Sequence, residues 1–286
     1  FYQIGYDLDQ QDNELLPAMT RAFGLGSPTG IPYYYRQFGY EMTLAMPGGR
    51  LGYRVHVPTL NEGEPEPYTV RPATVDDLGF ISSLYDRAMQ RYLVSAVRRP
   101  EIWRYELTGR REQSLVHYRM LVIEKPGGGA VGYFAHIPRM WGPTIAVQMY
   151  ELLPAVSWND VTPTVLRHVA RAAEGYAAQS NGPEFGAYYL NLGLQHPVYE
   201  AIPSLLPRRP QPYTYFMRVP SLSAFLRHVA PALDRRLATS PAAGYTGSLK
   251  LNFYRSAYRL TFEQGALIDA TTYEPEHQED GDAFFP

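Results

Sequence analysis

Four residues, Pro126-Gly127-Gly128-Gly129, constrain this chain most, because they separate two β-rich runs, residues 118–124 and 130–137, by no more than a tight turn. Glycine reaches the positive φ that a close reversal needs, so the two runs are expected to pair as an antiparallel hairpin. Upstream, Tyr68-Thr69-Val70-Arg71-Pro72 reads as a short strand. Thr74 follows as a helix cap, with Asp77 answering from the third helical position. The helix after it shows Phe80, Ile81, Leu84, Tyr85, Ala88, Met89 and Tyr92 at three- and four-residue steps, one wide buried face.

Downstream, the apolar stretch 144–153 precedes Thr162-Pro163, a capping hydroxyl and a proline suited to the first helical position. A helix from there to about residue 179 would turn Val165, Val169, Ala173 and Tyr176 inward. A strand at 187–194, a short helix near 197–205 and a strand at 213–219 complete the series. Strands and helices in this order predict an α+β or α/β fold built on mixed sheets.

Residues 61–67, Asn-Glu-Gly-Glu-Pro-Glu-Pro, contain no apolar side chain and read as an exposed connection. After Pro220 the pattern changes: Leu222, Phe225, Leu226, Val229, Leu233 and Leu237 mark an amphipathic helix that Pro231 should kink. Leu249, Leu251 and Phe253, then Tyr258, Leu260 and Phe262, alternate with polar residues as half-exposed strands do. The boundaries divide the chain into 1–66, 67–219 and 220–286. It opens at Phe1 and closes at Pro286 directly after Ala283-Phe284-Phe285, and both ends read as truncations.

Composition narrows the function classes. With 286 residues and 45% apolar content there is material for about two domains. Lys+Arg (26) and Asp+Glu (28) nearly cancel, and the basic residues are scattered, so a nucleic-acid partner is not expected. The absence of cysteine removes thiolate chemistry, disulfides and Cys-ligated metals. No run resembles a membrane span or a signal peptide, and cytoplasmic location is the default expectation.

The segment Gly30-Ile31-Pro32-Tyr33-Tyr34-Tyr35-Arg36-Gln37-Phe38-Gly39-Tyr40-Glu41 carries the chemistry. It resembles the C-terminal motif of GNAT acetyltransferases, a short helix bearing a tyrosine, then an aromatic after glycine at the start of a strand. Residues 68–77 are similar to the opening of a second GNAT unit, and residues 221–275 to a sterol-carrier-protein-like domain. The three-part layout resembles the enhanced intracellular survival family of N-acetyltransferases, with tandem GNAT-like units and a partial carrier-like α+β domain.

That resemblance implies acetyl-CoA as co-substrate, no metal, a small-molecule or peptide amine as acceptor, and a homo-oligomer. It implies Tyr35 as the general acid that protonates the departing CoA thiolate, with Tyr34 as the alternate, and Tyr34 and Phe38 beside the cofactor. The general base would be the full-length C-terminal carboxylate, which Pro286 does not supply. The pyrophosphate loop, an Arg/Gln-x-x-Gly-x-Gly/Ala turn, would precede Phe1. In the second unit the corresponding place, residues 150–162, has no glycine and carries Glu151 and Asp160, so CoA should bind poorly there. Tyr199, in the place analogous to Tyr35, is expected simply to pack. Equally, Tyr33, Tyr34 and Tyr35 could serve only as packing on a hairpin edge.

Other signals are weaker. Gly24-Leu25-Gly26-Ser27-Pro28-Thr29-Gly30 has its third glycine one residue late for a dinucleotide loop. The seven histidines show no zinc-binding spacing, and no serine sits in a nucleophile elbow. Residues 274–280 are acidic and turn-rich, as a solvated loop is. The rival to an enzyme is a non-catalytic carrier whose third domain holds an apolar ligand against Leu249, Leu251, Phe253, Leu260 and Phe262.

Overall fold

The computed structural model describes residues 34–46, 48–92, 95–180, 182–253 and 256–284. The Gly24–Gly30 loop, Tyr33 and both chain ends, on which expectations above fall, lie outside the described residues. In chain order the first elements are β1 (Glu41–Ala45), β2 (Arg50–Tyr53), β3 (Thr69–Pro72), α1 (Leu78–Met89) and α2 (Pro100–Arg104). Next come β4 (Arg119–Glu124), β5 (Ala130–His136), β6 (Thr144–Leu152), α3 (Trp158–Ser180), β7 (Ala187–Leu190), the one-turn α4 (Val198–Ala201) and β8 (Thr214–Met217). The last are α5 (Leu222–Ala238), β9 (Gly247–Asn252), β10 (Ala257–Glu263), β11 (Ala266–Thr272) and β12 (Ala283–Phe284).

The chain forms two compact units. One, the sheet unit, is Ala45–Thr214; the other, the terminal unit, joins the described residues on either side of it. The sheet unit is a mixed six-stranded sheet in the order β2-β7-β6-β5-β4-β3. Every neighbouring pair is antiparallel except β6 with β7, which are parallel. Parallel neighbours need a crossover, and α3 supplies it.

The hairpin forms as its glycines require: Gly127, Gly128 and Gly129 sit at φ +82°, +93° and +97°. Lys125 N donates to Gly129 O at 3.2 Å to close the turn. Burial along β4, β5 and β6 is nearly continuous because both faces of the sheet are covered. Leu121, Ile123, Phe134 and Tyr150 pack under Val161, Val165 and Val169 of α3. Met120, Val122, Tyr133 and Met149 pack under Ile81, Leu84 and Tyr85 of α1, with Trp103 of α2.

The capping box anticipated before α1 is present. Thr74 N and Thr74 Oγ1 donate to Asp77 Oδ2 at 2.7 and 3.0 Å, and Arg71 adds bonds of 2.8 and 2.9 Å to the same carboxylate. Those Arg71 bonds, more than the backbone of Thr74, hold Asp77 down to about 2.

One expectation fails on α3. Its first residue is Trp158, not one following Thr162, and Pro163 lies inside the helix. Ser157 acts as the cap, its Oγ accepting from Asp160 N at 3.3 Å. Trp158 is drawn in by its ring contacts with Tyr150 at 4.9 Å and His196 at 5.0 Å, so packing extends the helix by a turn. Thr162 caps nothing: it is buried, and its hydroxyl shares a 3.0 Å hydrogen bond with that of Tyr150.

Sequence patterning also passes over β2, a four-residue edge strand, and α2. Residues 61–67 are a mostly exposed connection, as expected, and they run between β2 and β3, the two edges of one sheet.

In the terminal unit, α5 begins at the Ser221 cap and continues through Pro231 to Ala238. Its Leu226, Ala230 and Leu233 pack on Leu260, Leu267 and Ala270, with Leu249, Leu251 and Phe262 at the margin. The sheet beneath has the order β11-β10-β9-β12. Of the alternating apolar residues read from the sequence, Leu249, Leu251, Leu260 and Phe262 therefore share a cluster with the helix. β1 pairs with β8 in a separate two-stranded sheet.

Candidate functional site

The expected aromatic motif adopts the local form its residues call for. Tyr34–Phe38 is a single 3₁₀ segment, and Gly39 follows at φ +78°, where a side chain would be strained. Gly39 N donates to Arg36 O at 3.0 Å and Tyr40 N to Tyr35 O at 3.2 Å, turning the chain into β1. Glu41 at the strand start is paired with Arg36 at 2.9 Å across that turn.

Tyr35 is half-buried, with its ring 5.2 Å from Phe216 and 6.2 Å from Tyr40. Tyr34 and Phe38, the residues expected beside a cofactor, are 51% and 50% exposed. The three form one aromatic group, Tyr34 lying 5.3 Å from Tyr35 and 5.8 Å from Phe38. The strand β8 that carries Phe216 is what fixes Tyr35, a contact between residues far apart in sequence.

The sheet unit has a contrasting place. β7 pairs in parallel with only the first half of β6, Thr144 to Val147, and the last bond between the strands' line is Asn191 N to Val147 O at 2.9 Å. Beyond it β6 continues to Leu152 along β5 alone. His196 takes over the strand edge that β7 leaves, its Nε2 donating to Tyr150 O at 2.8 Å while Nδ1 accepts from Val198 N at 3.2 Å. Those partners specify the neutral Nε2–H tautomer.

Tyr199 occupies the same opening, donating to Leu190 O at 2.7 Å and accepting from Leu192 N at 3.2 Å. Burial pushes its phenol well up. Arg50, itself buried, holds it with a 2.8 Å bond to Tyr199 O and its guanidinium 5.0 Å from the ring. Tyr199 is 1% exposed and His196 2%, so the parted strands are filled by the chain's own side chains.

Residues 150–162, the stretch that corresponds to the expected pyrophosphate turn, include Ala155 at φ +64°, a left-handed position taken without glycine. Glu151 is occupied as well, paired with Arg91 and lying 3.4 Å from His196 Nε2.

Sequence reading missed the most deeply buried Arg–carboxylate pair among the described residues. Glu106 and Arg110, one turn apart in and after a wide π-type turn, are 2% and 7% exposed. They are joined by bonds of 2.6 and 2.9 Å. Burial pushes the Glu106 carboxyl up to about 7, against the pull of the nearby Arg98 guanidinium. The four-residue spacing was visible, but nothing in the sequence marked that turn as interior.

His136 is fully buried, Nδ1 donating to Ile137 O at 3.2 Å, and burial pushes it down to about 4. Among the described residues no group of three or more His, Cys, Asp or Glu is placed to hold a metal ion. No helix among them is long and apolar enough to cross a membrane.

No family model matches the sequence, and no curated protein matches it. Solved structures do resemble it. A GCN5-related N-acetyltransferase from Anabaena variabilis ATCC 29413 is 13% identical with a TM-score of 0.47, over 91% of this chain and 62% of its own. A conserved protein of unknown function from Enterococcus faecalis V583 is 17% identical at 0.49, over 91% of this chain and 60% of its own. A spermidine N-acetyltransferase from Vibrio cholerae in complex with CoA and spermine is 13% identical at 0.36, over 54% of this chain and 95% of its own. The chain thus spans about 60% of the length of the first two. At these identities the chemistry has to be argued from this chain's own side chains.

Proposed function

We propose that the protein transfers an acetyl group from acetyl-CoA to a primary amine, with Tyr35 as the general acid. One observation carries the reading: Tyr35 stands on a single 3₁₀ turn that Gly39 reverses at φ +78° into β1, its ring braced by Phe216. A phenol on such a turn is held at a defined point instead of being free on a loop.

The amine attacks the thioester carbonyl, the C–N bond forms, and the C–S bond breaks as the sulfur leaves. A phenolic proton passing to that sulfur spares the site a free thiolate, and the proton that the acylated nitrogen sheds restores the phenol. Between ordinary phenol and thiol acidities, near 10 and 8.5, the transfer is uphill by about 2 kcal/mol, which positioning can offset. Half-exposed Tyr34 and Phe38 present apolar surface against which the pantetheine arm would lie.

In this reading residues 1–66 close one acetyltransferase unit and 67–219 form a second that has lost its cofactor site. Residues 220–286 begin a carrier-like domain. β2 is then a strand that the first unit lends to the second unit's sheet. The filled opening beside β6 is consistent with a second unit that does not turn over.

The test is release of CoA thiol from acetyl-CoA with a panel of primary amines, polyamines included. Amine-dependent release that Tyr35→Phe abolishes while Tyr34→Phe leaves most of it supports the assignment. A folded protein that releases no thiol with any amine refutes it, and a stoichiometric lipid on organic extraction would then favour the carrier.

A further inference from the structure

His136, from β5, and His168, from α3, both pack on the ring of Phe134, at 6.4 and 5.6 Å. Tyr176, further along α3, lies 5.9 Å from His136. The His136 Nε2 is buried with no hydrogen-bond partner among the described residues, while Nδ1 donates to Ile137 O. A proton taken up at Nε2 would be a buried charge with no acceptor, so burial holds the ring neutral down to about 4.

The surrounding charges add to that resistance. Arg119 lies directly across from His136 in the β4–β5 register, and it acts on His136, His168 and the Tyr176 phenol alike. On the other side of β5, His136 pairs with apolar Val147 of β6. From α3 come His168 itself and Arg171; burial first, then Arg171, keeps His168 below its ordinary value. Glu66, before β3, is the acid that acts on His168, and it is already bonded to Arg167 and Arg171. Two protonated histidines would thus join Arg119, Arg167 and Arg171 around one committed carboxylate.

α3 is held unevenly. Its first half buries Val161, Thr162, Thr164, Val165 and Leu166, and Trp158 anchors its start on Tyr150. After Val169 the helix buries only Ala173, and Gly175 weakens it there. This lightly packed half is the one that reaches His136, through Tyr176. The titrating ring and the weakest packing of the helix coincide.

We propose that His136 and His168 form an acid-operated latch: with both rings protonated, α3 from His168 to Ser180 parts from the sheet, while β4, β5, β6 and the first half of the helix stay in place. The motion uncovers Phe134 and Tyr176, and it is independent of Tyr35 and of acetyl transfer. A freed imidazole takes its proton near 6.5 and the packed His136 near 4, so the latch is fully closed above about pH 6.5 and its hold is lost as pH falls toward about 4.

The experiment is backbone hydrogen exchange, corrected for its intrinsic pH dependence. For the His136 step alone, linkage gives a fall in protection of about 30-fold across residues 168–180 between about pH 7.5 and about pH 5, with β4 and β5 unchanged. His136→Phe keeps a ring in place and leaves Ile137 O bonded to Arg139 N, and it should remove most of that fall. If the variant does not fold, NMR titration of His136 in the unaltered protein decides: a midpoint below about 6 supports the latch, and one at or above it overturns it. Unchanged protection at the lower pH, a loss spread evenly over the sheet, or a fall that folded His136→Phe retains in full also overturns the proposal.

Discussion

The two tyrosines that the sequence sets in corresponding places, Tyr35 and Tyr199, end in opposite circumstances. Tyr35 is half-buried on a turn whose other aromatics are exposed; Tyr199 is 1% exposed, with its hydroxyl bonded twice to backbone and an arginine on its ring. Burial and hydrogen bonding make the second phenol a structural peg, while the first keeps its edge near solvent. A tyrosine's place in a motif is therefore weaker evidence for chemistry than what surrounds its oxygen.

The largest test concerns the interior of the sheet unit. Glu106→Ala removes the carboxylate that the buried Arg110 guanidinium bonds and should cost about 3–5 kcal/mol in urea unfolding. A loss below about 1 kcal/mol would mean water reaches the pair, and that the interior is less closed than the contrast requires. Tyr35→Phe should leave stability unchanged while turnover falls by about 100-fold or more, the usual contribution of a general acid. Should Tyr199→Phe instead reduce thiol release, the roles of the two tyrosines are reversed; the expectation is a cost of about 1–3 kcal/mol in stability and none in turnover.

Smaller effects sharpen the picture. Asp77 is held down to about 2 in the folded protein, against about 3.9 when unfolded, so its contribution is complete above pH 4. It fades as pH falls from about 4 toward 2, where the carboxylate takes up its proton. Asp77→Ala should therefore cost about 1 kcal/mol at pH 7 and almost nothing near pH 2. Ala155→Gly should stabilise by up to about 1 kcal/mol, because Ala155 holds φ +64° and glycine is not strained there. Unchanged stability would show that the turn relaxes in solution.

Much of the sheet unit was legible because its signals are local. Glycines at 127–129 dictate a reversal, Thr74 and Asp77 cap one another three residues apart, and the face of α1 repeats with the helical period. The start of α3 was misplaced because Thr162-Pro163 is a good local signal overruled by Trp158 packing on Tyr150 and His196. β2 was invisible because a four-residue edge strand carries too little pattern to register. At the candidate site, the turn, its glycine and its aromatics were readable, whereas the bracing by Phe216 was not.

The sequence by itself determined the elements, their order, and the residue types available for acyl transfer, since helical period, turn chemistry and capping act over a few residues. Only tertiary structure decided which phenol is sealed, where β6 and β7 part, and that Glu106 and Arg110 pair in the interior. Those outcomes depend on burial, and burial is set by residues distant in the chain, on strands and helices that meet only once the sheet has closed.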